Sequence, residues 1–193
     1  MQLFQASPGD VLDFWFGSEA TRGASRPEWF RKDEKFDAQI RDRFGELLEQ
    51  ASRRELDAWR GEPQSMLALI VVLDQFSRNL FRDSARAFAQ DAYARECVHE
   101  AIARGDEAKL LPVQRVFLYM PLEHSEDVAD QQDCLERMRA LEAYPESRGF
   151  TQWAEKHKAV IDRFGRFPHR NAMLGRASTP EEIEFLAQPG SRF

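Results

Sequence analysis

Apolar positions fall at helical intervals along almost the whole of this chain. Phe36, Ile40, Phe44, Leu47 and Leu48 recur three and four residues apart, which predicts one stripe on a helix from about Asp33 to about Arg53. Ser7-Pro8-Gly9-Asp10 has the chemistry of a helix start, with Ser7 as N-cap and Pro8 at the first helical position. The helix then runs through Val11-Leu12-Asp13-Phe14-Trp15-Phe16 and stops at Gly17. Ser18 to Pro27 is polar and loop-like. Gly61-Glu62-Pro63 breaks the chain and opens the next helix, whose body, Met66 to Leu73, is apolar on every side. Such a helix belongs at the centre of the fold. Ile70-Val71-Val72 would also suit a strand, but the polar residues that follow keep helical spacing.

Asp83 or Ser84 is placed to cap a helix from Ala85 to about Arg104, stopped by Gly105. Pro112 opens a short helix that Pro121 should kink or end. Ser125 is placed to cap a helix from about Glu126 to Ala143. Gly149 to about Phe164 predicts another, with Trp153, Val160, Ile161 and Phe164 inward. Thr179-Pro180-Glu181-Glu182 is a capping box that starts a last helix ending before Pro189-Gly190. No stretch alternates convincingly as a strand. The expected fold class is therefore all-α, with about eight helices in a single domain spanning residues 1–193. There is no linker and no repeat of fixed period.

Composition narrows the function classes. With 193 residues, 42% hydrophobic and 31% charged, the chain is globular and long enough to build a core without staples. A net charge of −6 argues against nucleic-acid partners and anionic membranes. The longest apolar run is the eight residues Met66 to Leu73, against the about 20 that a membrane span needs. Met1 to Asp10 has neither the basic nor the apolar region of a secretory leader, so the expected location is the cytoplasm. Cys97 and Cys134 have no metal-ligand spacing and are expected as reduced packing residues, with a disulfide as the alternative. The cations are mostly arginine, the side chain for bidentate pairing with carboxylate or phosphate; a GC-rich genome gives the same bias.

Three stretches carry candidate chemistry. In Asp74-Gln75-Phe76-Ser77-Arg78-Asn79-Leu80-Phe81-Arg82, Asp74, Arg78 and Arg82 share one helix face, with Asn79 beside them. Asp74 can pair with Arg78, whereas Arg82 has only Asp83 or Gln90 nearby. Pro121-Leu122-Glu123-His124-Ser125-Glu126-Asp127 sets a histidine among acids, which should raise its pKa and suit proton transfer, with His124 and Glu123 as the catalytic candidates. Its spacing matches no metal motif, so neither a metal nor any other cofactor is expected. Phe164 to Arg176 has three arginines, a histidine and an asparagine, no acid, and several large apolar residues. Pro168 should make Phe167-Pro168-His169 a turn that presents Arg166, His169, Arg170 and Asn171 on a rigid segment. Each stretch also reads as an internal ion-pair network that ties helices together.

Taken with Val11-Leu12-Asp13-Phe14-Trp15-Phe16-Gly17, these strings resemble the bacterial family catalogued as domain of unknown function 924, over about Val11 to Phe193. The resemblance implies a tetratricopeptide-like α-α superhelix and no assigned activity. The Trp/Leu-Gly/Tyr pattern of true tetratricopeptide repeats is missing. Three functions follow as expectations. The first is a binding module in which Arg78, Arg82, Arg166 and Arg170 line a cleft with Asn79, His169 and Asn171 for a small anionic ligand or an acidic peptide end. The second is a hydrolase using His124 or His169 as acid or base. The third is an interaction domain whose polar strings are structural.

Overall fold

The computed structural model describes residues 6–18 and 20–191, and these contain helices and turns with no strand. Nine α-helical segments occur in the order α1 (Pro8–Phe16), α2 (Glu34–Ser52), α3 (Pro63–Val71), α4 (Ser77–Leu80), α5 (Asp91–Ala103), α6 (Pro112–Glu123), α7 (Val128–Leu141), α8 (Thr151–Phe164) and α9 (Pro180–Leu186). A π-helical turn, Val72–Phe76, joins α3 to α4 without a break, so these make one rod and the rods number eight. No helix among the described residues is long and apolar enough to cross a membrane.

Local chemistry sets the ends of α1. Ser7 Oγ accepts from the Asp10 amide and Asp10 returns the bond to the Ser7 amide, a reciprocal cap on two donors that the first turn leaves open. At the other end Gly17 takes φ +86°, and a Cβ there would run into Thr21. The last carbonyls of α1 are met from outside the helix: Arg26 reaches Phe14 and Trp15, and the Trp29 indole reaches Trp15. The stretch Ser18–Pro27 is a run of turns, Glu19 lying outside the described residues.

The predicted central helix is central. Met66 through Leu73 are fully buried, which sets the strand alternative aside. The α3 segment packs on α1, α5 and α6, while the π turn packs on α2 and α5. From α5 to α8 each helix packs on its successor. The main core joins α1 to α7 with the start of α8, and a smaller cluster of Val160, Ile161 and Phe167 lies under the C-terminal segment. Both cysteines are free and buried.

Several boundaries differ from those expected. The helix expected from Ala85 is split into a 3-10 turn, Ala85–Phe88, capped by Ser84, and the separate α5. Pro121 does not end α6, which continues to Glu123. It removes one hydrogen bond from the ladder, and surrounding packing tolerates the loss. Asp127 rather than Ser125 caps α7, through the Ala129 and Asp130 amides. Ser125 instead donates to Asp130 and accepts from the Asp127 amide. On α8 the inward residues are Ala154, His157, Val160 and Ile161, with Trp153 44% exposed. Thr179 and Glu182 make the expected capping box on α9.

Candidate functional site

The polar centre lies where the π turn, the end of α6, the start of α5, the middle of α8 and the segment after it meet. A π turn holds one more residue than an α-helical turn and re-aims the side chains it carries, a feature common at functional sites. Here Asp74 lies in that turn and is turned inward, 1% exposed. Its Oδ1 is 2.8 Å from His124 Nδ1 and 2.9 Å from Arg78. Arg78 also forks onto Asp91, the first residue of α5, at 3.1 and 3.2 Å. Arg170, 79 residues further along the chain, reaches the same Asp91 at 3.1 Å and donates to the His124 carbonyl at 3.0 Å.

Each position has a local cause. Gln131, buried on α7, donates to the carbonyls of Leu122, Glu123 and Ser125 and so ties down the end of α6 on which Glu123 and His124 sit. Pro168–Arg170 is a 3-10 turn, as the Phe167-Pro168 pair predicts. Glu126 accepts from the Phe167 amide and takes a fork from Arg176, which also donates to the Phe167 carbonyl. The Arg170 guanidinium then lies between the Phe88 and Phe167 rings, 4.6 Å from each centroid. Its Nε is buried and has no acceptor among the described residues.

Electrostatics follow from that geometry. Burial alone would raise the Asp74 pKa, but Arg78 and His124 hold its carboxyl well below the usual range. Burial, with Asp74 close by, pushes Glu123 up to about 8. Burial pulls His157 down to about 3 and His169 to about 4, with neighbouring His124 and Arg170 adding to the respective shifts. His124 is also lowered, first by burial and then by Arg78. The expected rise is therefore corrected. Of the acids near it in sequence, Glu126 turns to Arg176 and Asp127 to the α7 amides, and the acid that does hold His124 is Asp74. Arg170 falls to about 10 through burial and the charge of Arg78. With its Nδ1 tied to a carboxylate and its side chain 15% exposed, His124 is set up to exchange a proton at Nε2.

The four arginines expected around one cleft divide. Arg78 and Arg170 meet. Arg82, expected to lack a partner apart from Asp83 or Gln90, instead pairs with Asp37 on α2, which also takes the Asn79 amide at 2.7 Å. Arg166 forks onto Glu182 on α9 at 2.6 and 2.8 Å, and Asn171 binds Glu182 and Ser178. Two surface recesses, of about 40 and about 360 Å³, are lined by other residues, the larger by Arg115, Tyr119, Arg137 and Tyr144 among others. Sequence reasoning missed Asp91, Asp37 and Glu182 as partner acids and His157 as a member of the centre. His157 had one signal: on the predicted α8 its position, three before Val160 and four before Ile161, puts it on the buried face.

The Glu182 carboxyl is held down to about 2, from an ordinary value of 4.5, first by its bond to Arg166. A depressed acid lends stability that is complete above 4.5 and lost as pH falls towards 2. Protection factors of the α9 amides should therefore drop over that window before those of α3 do. Unchanged α9 protection at pH 2 would refute the tether.

Fold and centre together define an all-helical protein built around a buried Asp/Arg/His cluster. By its sequence the chain belongs to the family described as "Bacterial protein of unknown function (DUF924)", whose model matches residues 11–190. It is similar to the solved structure of a protein of unknown function, ATU0120 from Agrobacterium tumefaciens, at 41% identity and a TM-score of 0.83, covering 93% of this chain and 96% of that one. No curated protein matches it.

Proposed function

We propose that this chain is a single helical domain that binds a small anion, a phosphate or carboxylate compound, at the Arg78–Arg170 pair beside His124. The observation that carries the reading is the Arg170 guanidinium. It is 6% exposed, held between two rings and close to a second cation, and its Nε–H lacks an acceptor among the described residues. A buried donor without an acceptor is costly, and a charged oxygen acceptor would remove that cost. His169 belongs to the same set, since Arg170, His124 and Arg78 all act on its charge. Asn79, Arg82, Arg166 and Asn171 serve it indirectly, by holding the Asp37 and Glu182 carboxylates that anchor α2 and α9. A tetratricopeptide-like superhelix remains our proposal for the wider architecture, supported by the sequential packing from α5 to α8.

The test is thermal denaturation against inorganic phosphate, acetate and small phosphate esters. At 100 times Kd an anion adds about 2.7 kcal/mol, roughly 5–10 °C in Tm for a chain of this size. Arg170→Lys keeps the charge and removes the Nε–H fork, so it should abolish the shift. No shift with any anion, or an equal shift in Arg170→Lys, refutes the reading. A second reading, acid–base hydrolysis through His124, is supported by the 2.8 Å bond from Asp74. It requires His124→Ala to keep the anion-induced shift while losing hydrolysis of the bound ester; retained hydrolysis refutes it.

A further inference from the structure

Away from the polar centre, the larger surface recess, of about 360 Å³, opens where α6 meets α7 and falls in the size range of small-molecule pockets. Arg115 and Tyr119 lie four apart on α6. Asp133, Glu136, Arg137 and Ala140 lie at spacings of three and four on α7, so one face of each helix turns to the recess. Tyr144, just beyond the end of α7, completes the rim. We propose that this recess binds a free amino acid with an aromatic side chain, its carboxylate on Arg115, its ammonium on Glu136 and its ring on Tyr144.

Pairing inside the recess leaves two charges over. Arg137 takes Asp133 at 2.9 Å and Glu107 at 2.8 Å, so that one guanidinium occupies both of those acids. The Tyr119 ring lies 5.5 Å from the same guanidinium. Its hydroxyl is pushed up to about 12, chiefly by burial, and so stays neutral. Arg115 and Glu136 remain. Arg115 is half-buried and its Nε donates to the Leu110 carbonyl at 3.0 Å, with no carboxylate partner among the described residues. That bond fixes the guanidinium and leaves its two terminal nitrogens, which suit the two oxygens of a carboxylate. Glu136 is exposed and accepts from Gln132 at 2.8 Å, with no cation partner among the described residues. A cation and an acid left over on facing helices of one recess match the two ends of a zwitterion.

The remaining lining decides the class further. Two arginines against three acids sum to −1, which turns away a simple anion and separates this recess from the Arg78–Arg170 pair. Tyr144 is 41% exposed and stands beside Leu141 and Ala140. A tyrosine ring in that position offers a face to a second aromatic ring. The inference is independent of the anion-binding reading, since no residue is common to the two sites.

The experiment is calorimetric titration of the full-length chain with L-phenylalanine, with phenyllactate, which has a hydroxyl in place of the ammonium, and with phenethylamine, which lacks the carboxylate. L-phenylalanine should saturate one site per chain, and each analogue should bind about 10-fold or more weakly than it does. Arg115→Gln should lower L-phenylalanine affinity to the level of phenethylamine and leave phenethylamine unchanged. Glu136→Gln should do the same with respect to phenyllactate. Arg139→Gln, on α7 but paired with Glu155 outside the recess, should change nothing. Circular dichroism reports whether each variant is folded. If Arg115→Gln does not fold, the comparison of the three ligands on the unaltered chain decides. No saturation by about 10 mM L-phenylalanine, equal affinity for either analogue, or undiminished L-phenylalanine affinity in folded Arg115→Gln or Glu136→Gln overturns the proposal.

Discussion

Asp91→Ala should lower the stability of the protein by about 3–5 kcal/mol, roughly 6–20 °C in Tm for a chain of this length. The reason is the number of cations that depend on one carboxylate. Arg78 meets Asp91 with two nitrogens and Arg170 with one. Without Asp91, Arg78 keeps Asp74, but Arg170 keeps the His124 carbonyl as its one hydrogen-bond acceptor among the described residues and faces the like charge of Arg78. Asp91 also lies in the first turn of α5, where its charge favours the helix dipole. Urea denaturation gives the measurement. The double variant Asp91→Ala/Arg170→Leu should recover part of the loss, because it removes the stranded cation with its partner. By contrast, Glu155→Ala breaks an exposed pair with Arg139 and should cost under about 1 kcal/mol. A loss below about 1 kcal/mol for Asp91→Ala would mean that water, not Asp91, solvates these arginines.

Trp15→Ala should cost about 3–5 kcal/mol by a different route. The Trp15 ring is fully buried and packs against Trp29, Phe36, Phe76 and Phe117, so truncation leaves a cavity lined by four aromatic rings from four parts of the chain. The indole Nε1, however, is buried without an acceptor among the described residues. Part of what truncation removes is thus unfavourable in the native protein. Trp15→Phe separates the two contributions: it keeps most of the ring and deletes the unsatisfied N–H, and should cost under about 1 kcal/mol. If Trp15→Phe and Trp15→Ala destabilise equally, the packing account of this position fails.

The fold was legible where apolar spacing alone decides the element. Met66 to Leu73 and the Phe36–Leu48 stripe read correctly because burial on a helix leaves a periodic mark. The start of α1 and the start of α9 were legible because a cap is a contact between residues three apart. The break before α5 was not. Ala85 to Gln90 has no proline or glycine to mark a break, and the turn there sets Phe88 against Arg170, a residue far away in the sequence. The site divides along the same line. Asp74–Arg78 is a contact of four residues and was foreseen. The pairs Arg82–Asp37, Arg166–Glu182 and Arg170–Asp91 join residues 45, 16 and 79 apart, and nothing local chooses one acid among many. The pKa of His124 was misjudged for a related reason: neighbouring acids in a sequence raise a histidine only if they reach it, and here burial with an adjacent arginine outweighs the two distant acids that do, Asp74 and Asp91.

The reach of Arg170 back to Asp91 has a consequence for how the molecule is made. The aspartate leaves the ribosome 79 residues ahead of its distant partner, and at 5–20 residues per second that is a wait of roughly 4–16 s. Through this interval the nascent helices can gather their apolar faces, but the ionic heart must stay wet, since its second cation does not yet exist. The segment that carries Arg170 is therefore the one that closes the interior, with Arg176 six residues later to fasten it to Glu126.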